Sequence, residues 1–270
     1  MSSMNDSATI TETARPAIHL KGVKKSFDGR TVVDVDDLTL GSNPIEGLIG
    51  PNGAGKTTLM RLIMHAIKLD TGTVSLSDPG SPNGSVVLSK TPQHRIARLG
   101  VVKTNQVIQD FPNLTIWDSL LLAVGRTRNE QPGRIFSERR VLEEHGDEIQ
   151  SYLDYFSFEN PNGFANSAGE KKLLDTIRCL LLNPKVLLLD EPTAGLPDDL
   201  TEQVMELIKQ KAAEGMSVVI VEHDLTVIWG LSDIVHFMAE GSVILQGDPA
   251  SIREHETVIE KYLGSGHVGG

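Results

Sequence analysis

Residues 50–57 read GPNGAGKT and fit the pattern G-x-x-x-x-G-K-[ST]. Glycines at such spacing let the backbone curl so that successive N–H groups face an anion. A helix that starts at the lysine adds the positive end of its dipole. In a loop of this kind Lys56 bridges β- and γ-phosphates and Thr57 binds Mg²⁺. Gly50, Pro51, Asn52, Gly53, Ala54, Gly55 and Thr58 complete the expected phosphate-binding surface. A second chemical element is VLLLDEP, which places Asp190 and Glu191 at the end of an apolar run. Carboxylates leaving the carboxyl edge of a parallel sheet point into the ligand crevice. There Asp190 is suited to hold Mg²⁺, directly or through water, and Glu191 to orient and polarise an attacking water. Alone, the pair reads equally as a solvated acidic turn before Pro192; beside a phosphate loop it reads as hydrolytic machinery. His223 follows the run SVVIV directly and can reach the same crevice, within hydrogen-bonding range of a γ-phosphate.

Those side chains need elements to hold them. From Ala17 to Leu40 the alternating pattern around the turn DGR predicts two antiparallel strands. IEGLIG reads as a short buried strand, and Leu59, Leu62, Ile63 and Ala66 keep helical spacing, so a helix begins near Lys56. DPGSPNGS is punctuation, a surface loop. From Thr115 to about Leu182 the pattern is mostly helical, broken by the polar stretch GRTRNEQPGR. Two further strand-like runs, VLLLD and SVVIV, flank a segment with Val204, Leu207, Ile208 and Ala212 on one face. Acids open that segment, and Lys209, Lys211 and Gly215 close it, as helix dipole and capping rules require. Unbroken Val/Ile/Leu strands alternating with helices imply a parallel sheet buried on both faces.

Bulk properties narrow the classes. A chain of 270 residues fits one large domain or a core with an inserted subdomain. A net charge of −11 argues against a broad nucleic-acid surface while leaving room for a local phosphate cradle. The single cysteine, Cys179, excludes an internal disulfide and lies in an apolar helical run, where a packed thiol is expected. This cysteine usage points to a cytosolic address. No apolar stretch approaches the roughly twenty residues that span a bilayer, so a membrane role would come through partners. Residues 1–16 are polar and lack a signal-peptide core, which predicts a disordered tail.

With these elements in order, residues 17–264 resemble the nucleotide-binding subunits of ABC (ATP-binding cassette) transporters. The resemblance implies an α/β fold: a P-loop NTPase (RecA-like) core with an antiparallel β subdomain and an inserted helical subdomain. It divides the chain into a core segment 17–112, a helical segment 113–181 and a second core segment 182–265, with tails 1–16 and 266–270. Phe27 in KKSFDG takes the place of the family's adenine-stacking aromatic, although a core Phe at a strand end remains open. Gln106 in GVVKTNQ matches the glutamine that contacts Mg²⁺ and faces the membrane subunit. The stretches RIARLGVVKTNQ, VEHDLTVIWGLSDIVHFMAEGSVILQGDPASI and VIEKYLG look like the ATPases of branched-chain amino-acid and related polar-solute importers. That likeness implies ATP and Mg²⁺ as ligands. It implies a second ATPase subunit, polytopic permease partners, an extracytoplasmic solute-binding protein and a peripheral place on the cytoplasmic face of the inner membrane. No nucleic-acid partner is expected.

The family signature Leu-Ser-Gly-Gly-Gln, which clamps ATP bound to the opposite subunit, corresponds here to NSAGE. Ser167 and Gly169 hold their places, whereas Asn166, Ala168 and Glu170 depart. A capped helix start with no ligand is the competing reading of Ser167. Ala168 would matter most if its backbone needed positive φ, and Lys171 and Lys172 could offset the acid at Glu170. Pro197 stands where the family's D-loop has Asp. Altered trans-acting residues beside intact cis-acting ones favour an asymmetric heterodimer, with a homodimer possible. Two other classes stay open: a non-transport ABC ATPase, and a nucleotide-gated scaffold with weak hydrolysis.

Overall fold

The alternation of apolar runs resolves into two sheets. The computed structural model describes residues 15–82, 84–104, 114–125, 137–158, 160–165 and 167–263. In chain order the elements begin with β1 (Ala17–Phe27), β2 (Arg30–Leu40), β3 (Ile45–Ile49) and α1 (Lys56–Ile63). Next come β4 (Thr71–Ser77), β5 (Ser85–Val87), α2 (Gln93–Ile96) and β6 (Val101–Lys103). The helices α3 (Ile116–Gly125), α4 (Ser137–Tyr155) and α5 (Ala168–Leu180) follow, then β7 (Val186–Asp190), α6 (Asp198–Ala213) and β8 (Ser217–Val221). The chain closes with α7 (Leu225–Leu231), β9 (Ile234–Ala239), β10 (Ser242–Gly247), α8 (Pro249–Glu254) and α9 (Glu256–Val258).

One sheet is antiparallel, in the order β2-β1-β4-β5. The other has the order β10-β9-β3-β8-β7-β6, parallel throughout except for β10 at its edge. Because side chains alternate across a strand, a run such as VLLLD serves two cores at once. Leu187 and Leu189 enter the cluster built with α5, α4 and α6, while Val186 and Leu188 join α1 and the antiparallel sheet. Val218 and Ile220 separate from Val219 and Val221 in the same way. Burying such a side chain fully is worth about 1.5–3 kcal/mol, which is why, apart from Ser217 at the start of β8, these strands carry no polar residue until their carboxyl ends. Val204, Leu207, Ile208 and Ala212 form the buried face of α6 as its spacing predicts. Cys179 is buried, and burial raises its thiol well above the ordinary range.

Three local details refine the sequence reading. The surface loop DPGSPNGS joins two antiparallel strands, since Ser77 pairs with Ser85 across β4 and β5. Helix α1 stops at Ile63, before Ala66, because His65 takes a left-handed φ of 49° and its Nδ1 lies 2.6 Å from the Thr91 carbonyl. Glu46, buried on β3, meets buried His236 at 2.9 Å. Burial pushes the Glu46 carboxyl up, but hydrogen bonds from His236 and Asn43 outweigh that and hold it below its usual value.

Candidate functional site

Strands β3, β8, β7 and β6 are neighbours in that order, so the segments leaving their carboxyl ends emerge side by side. The loop from Gly50 leaves β3, Glu191 follows β7, Glu222 and His223 follow β8, and Lys103 and Thr104 close β6. A crevice at this edge is where parallel α/β sheets bind ligands. A cavity of about 220 Å³ lies there, lined by Val32, Asn52 to Thr58, Glu191, Val221 and His223.

The loop is fixed by glycines that no other residue can replace. Gly50 has φ 150°, and a Cβ on it would stand 1.9 Å from the Met238 carbonyl oxygen. Gly55 has φ 106°, and a Cβ there would stand 2.5 Å from the Val32 oxygen. Gly55 is also the N-cap of α1 and offers no side chain to the first-turn N–H groups. Lys56 Nζ donates to the carbonyls of Gly50 (2.6 Å) and Pro51 (3.1 Å) and is almost fully buried. Burial lowers its pKa, opposed by the charges of Glu191 and Asp190. A buried ammonium held only by neutral carbonyls, with acids nearby, is a cation prepared for phosphate.

Opposite the loop, Glu191 Oε1 lies 2.9 Å from His223 Nε2. Glu191 is a non-glycine residue at φ 54°, a conformation that costs about 1–3 kcal/mol and marks functional positions. Its N–H donates to the Val221 carbonyl at 2.8 Å, tying the turn after β7 to the end of β8. Asp190 is fully buried; its N–H donates to Thr104 Oγ1 (2.9 Å) and its Oδ2 accepts from Lys103 Nζ (2.9 Å). Among the described residues Asp190 Oδ1 has no hydrogen-bond partner. That carboxylate oxygen and the hydroxyl of Thr57, which lines the cavity, are hard oxygen donors of the kind Mg²⁺ takes. Among the described residues no cluster of three His, Cys, Asp or Glu is preassembled for a metal. A site that completes its Mg²⁺ shell with substrate phosphate needs no such cluster.

Other predicted residues fall elsewhere. Phe27 does not line the cavity; its ring ends β1, 44% exposed, with Lys25 Nζ 5.2 Å from the centroid. Gln106 and Asn166 lie outside the described residues. Ser167 and Gly169 do not line the cavity either. Ser167 is the N-cap of α5, its Oγ accepting from Glu170 N–H at 3.0 Å, and the Glu170 carboxylate accepts from Ser167 N–H at 3.1 Å. Glu170 is therefore the N3 member of a capping box. Ala168 is the first residue of that helix and does not take positive φ, so its Cβ is no obstacle. Lys172 is buried. A Cβ on Gly169 would stand 3.0 Å from the Gly195 carbonyl, so α5 begins packed against the turn after β7.

Residues 33–194 match the family model described as ABC transporter. The chain belongs to the ABC transporter family. It is 31% identical over 262 residues to the high-affinity branched-chain amino acid transport ATP-binding protein LivG of Escherichia coli K12, covering 93% of this chain and 99% of that protein. It is 30% identical over 244 residues to the lipopolysaccharide export system ATP-binding protein LptB of Escherichia coli K12, covering 90% and 95%. A nucleotide-free ATP-binding cassette from an ABC transporter superposes with a TM-score of 0.74 at 23% identity, covering 93% of this chain and all of that one. This ABC cassette is thus a P-loop NTPase in fold, an ATP-binding protein and an ATPase coupled to transport. Among the described residues no helix is long and apolar enough to cross a membrane.

Two participants escaped the sequence reading. Lys103 holds the Asp190 carboxylate from 87 residues away. Glu222, beside His223, is the other, although an acid directly after the apolar run VVIV is itself a signal.

Proposed function

We propose that this cassette energises uptake of branched-chain amino acids or a related polar solute, as a peripheral subunit on the cytoplasmic face of the inner membrane. The observation that carries the chemistry is the convergence of Lys56, Thr57, Glu191 and His223 on one cavity. The solute class rests on likeness to LivG over nearly the whole chain. A similar likeness to LptB favours the reading that cassettes of this kind serve more than one cargo, so the core ATPase is the firmer part.

In this mechanism the α1 N-terminus and Lys56 bind the β- and γ-phosphates, Lys56 exchanging the Gly50 and Pro51 carbonyls for phosphate oxygens. Phe27, exposed at the end of β1, offers its face to adenine. Thr57 and Asp190 Oδ1 would hold Mg²⁺, which neutralises phosphate charge, with Gln106 contributing from the segment after β6. Glu191 accepts a hydrogen bond from the attacking water, and His223 orients Glu191 and the γ-phosphate edge.

Ser167 and Gly169 lie away from the chain's own cavity, which supports their use on the nucleotide of a second cassette. Glu170 places a carboxylate at that same helix start, where it would repel a partner's γ-phosphate. This favours a heterodimer, in which the partner supplies the better signature. Polytopic permease subunits and, through them, an extracytoplasmic binding protein complete the assembly. Mild-detergent purification of the tagged full chain from membranes of its own cell tests this. Co-purification of a second cassette and polytopic subunits, with ATPase activity raised by branched-chain amino acid plus binding protein, is expected. A chain that leaves the membrane without polytopic partners contradicts the reading.

A further inference from the structure

The two groups assigned to the attacking water sit on separate turns, one after β7 and one after β8. Glu191 additionally holds a left-handed backbone. The Glu191 N–H bond to the Val221 carbonyl is one tie between the turns, and a side-chain tie stands beside it. Behind them lies the carboxylate of Glu222, only 2% exposed. Its Oε1 accepts from both Thr193 N–H (2.8 Å) and Thr193 Oγ1–H (2.7 Å). Its Oε2 accepts from His223 N–H at 3.2 Å. Thr193 lies two residues beyond Glu191 and is also buried. One carboxylate therefore grips the turn that carries Glu191 with one oxygen and the backbone of His223 with the other. Glu222 and Thr193 are both buried, and neither is among the residues that line the cavity.

We propose that Glu222 is a positioning residue for hydrolysis: through Thr193 and the His223 N–H it sets the 2.9 Å approach of His223 to Glu191. The inference rests on Glu191 and His223 being the pair that handles the attacking water. An apolar residue of similar size would fill the space behind the crevice equally well. A carboxylate is required because three donors converge there, and each would be left unsatisfied and buried without it. Burial raises the Glu222 carboxyl pKa, against the opposing effect of the Thr193 and His223 hydrogen bonds. The position thus accepts an unfavourable desolvation to keep its geometry. Misplacing reacting groups by about 1 Å is enough to lower a rate about 100-fold.

The test compares Glu222→Ala, Glu222→Gln and Thr193→Val, measuring ATP affinity of the full chain by calorimetry and hydrolysis by the membrane-assembled complex. Glu222→Ala should lower kcat about 10- to 100-fold while ATP affinity stays within about twofold, because no phosphate contact is lost. Glu222→Gln keeps an acceptor for Thr193 but turns an amide N–H₂ toward the His223 N–H, so it should fall between wild type and alanine. Added to Glu191→Gln, Glu222→Ala should cause no further loss, since both changes remove one function. Should the alanine variant fail to fold, Glu222→Gln and Thr193→Val carry the same comparison. Unchanged kcat, or kcat and affinity falling together, overturns the proposal, as does full additivity with Glu191→Gln. Hydrolysis that survives Glu191→Gln would instead strike the assignment of the water-handling pair itself.

Discussion

Lys56 and Ser167 both stand at the start of a helix, but the two starts are finished differently. Helix α1 is preceded by Gly55, which has no side chain to give its first-turn N–H groups, and the loop before it is immobilised by close approach to Met238 and Val32. Helix α5 is preceded by Ser167, and its capping box already satisfies donors at both Ser167 and Glu170. A helix start left uncapped keeps its first-turn N–H groups free for a ligand, whereas a capping box has already taken up part of the donors. The half of the site this chain uses on its own ATP is therefore built to need the ligand. The helix start that the proposed function assigns to a neighbour's nucleotide is capped by its own side chains.

The contrast can be broken at several points. The largest effect is expected at Lys103→Met, which leaves the fully buried Asp190 carboxylate without its cation. Removing one partner of such a pair costs about 3–5 kcal/mol, measurable by urea unfolding, and Mg-ATP should restore part of it by supplying charge to Asp190. Lys56→Ala should weaken ATP binding about 10- to 100-fold, the worth of a hydrogen bond to a charged group. Calorimetry on the isolated chain reads this directly, and undiminished affinity would remove the phosphate-loop assignment. Ser167→Ala should cost about 1 kcal/mol of stability through the lost cap and leave the isolated chain's ATP affinity unchanged. That pairing sharpens the comparison, because α5 then matters to this chain only as a helix. The smallest change in stability is expected from Glu170→Gln, under about 0.5 kcal/mol, since Gln also serves at N3 of a capping box. Its turnover in the assembled complex should nevertheless rise, as a like charge leaves the phosphate-facing helix start.

What the sequence revealed follows from how far apart the participants are in the chain. The phosphate loop, the buried runs of β7 and β8 and the apolar face of α6 are local patterns, and local patterns are legible. Lys103 meets Asp190 only because β6 pairs with β7 so that Lys103 aligns with Leu188. That register is a tertiary fact no window of residues contains. Glu222 reaches Thr193 across 29 residues for the same reason. The hairpin of β4 and β5 was hidden by Ser, Thr and Gly in strands with little buried surface. At NSAGE the sequence raised the right residues but could not say that Ala168 takes helical φ or that Glu170 caps the helix, since both depend on where α5 begins.

The central claim is that this cassette hydrolyses its own bound ATP with Glu191, supported by His223. The direct measurement sets wild type beside Glu191→Gln, reading ATP affinity by calorimetry and phosphate release by the assembled complex. Retained affinity with hydrolysis reduced about 100-fold or more, the usual worth of a general base, is the predicted result. Phosphate release at the wild-type rate from Glu191→Gln would contradict it.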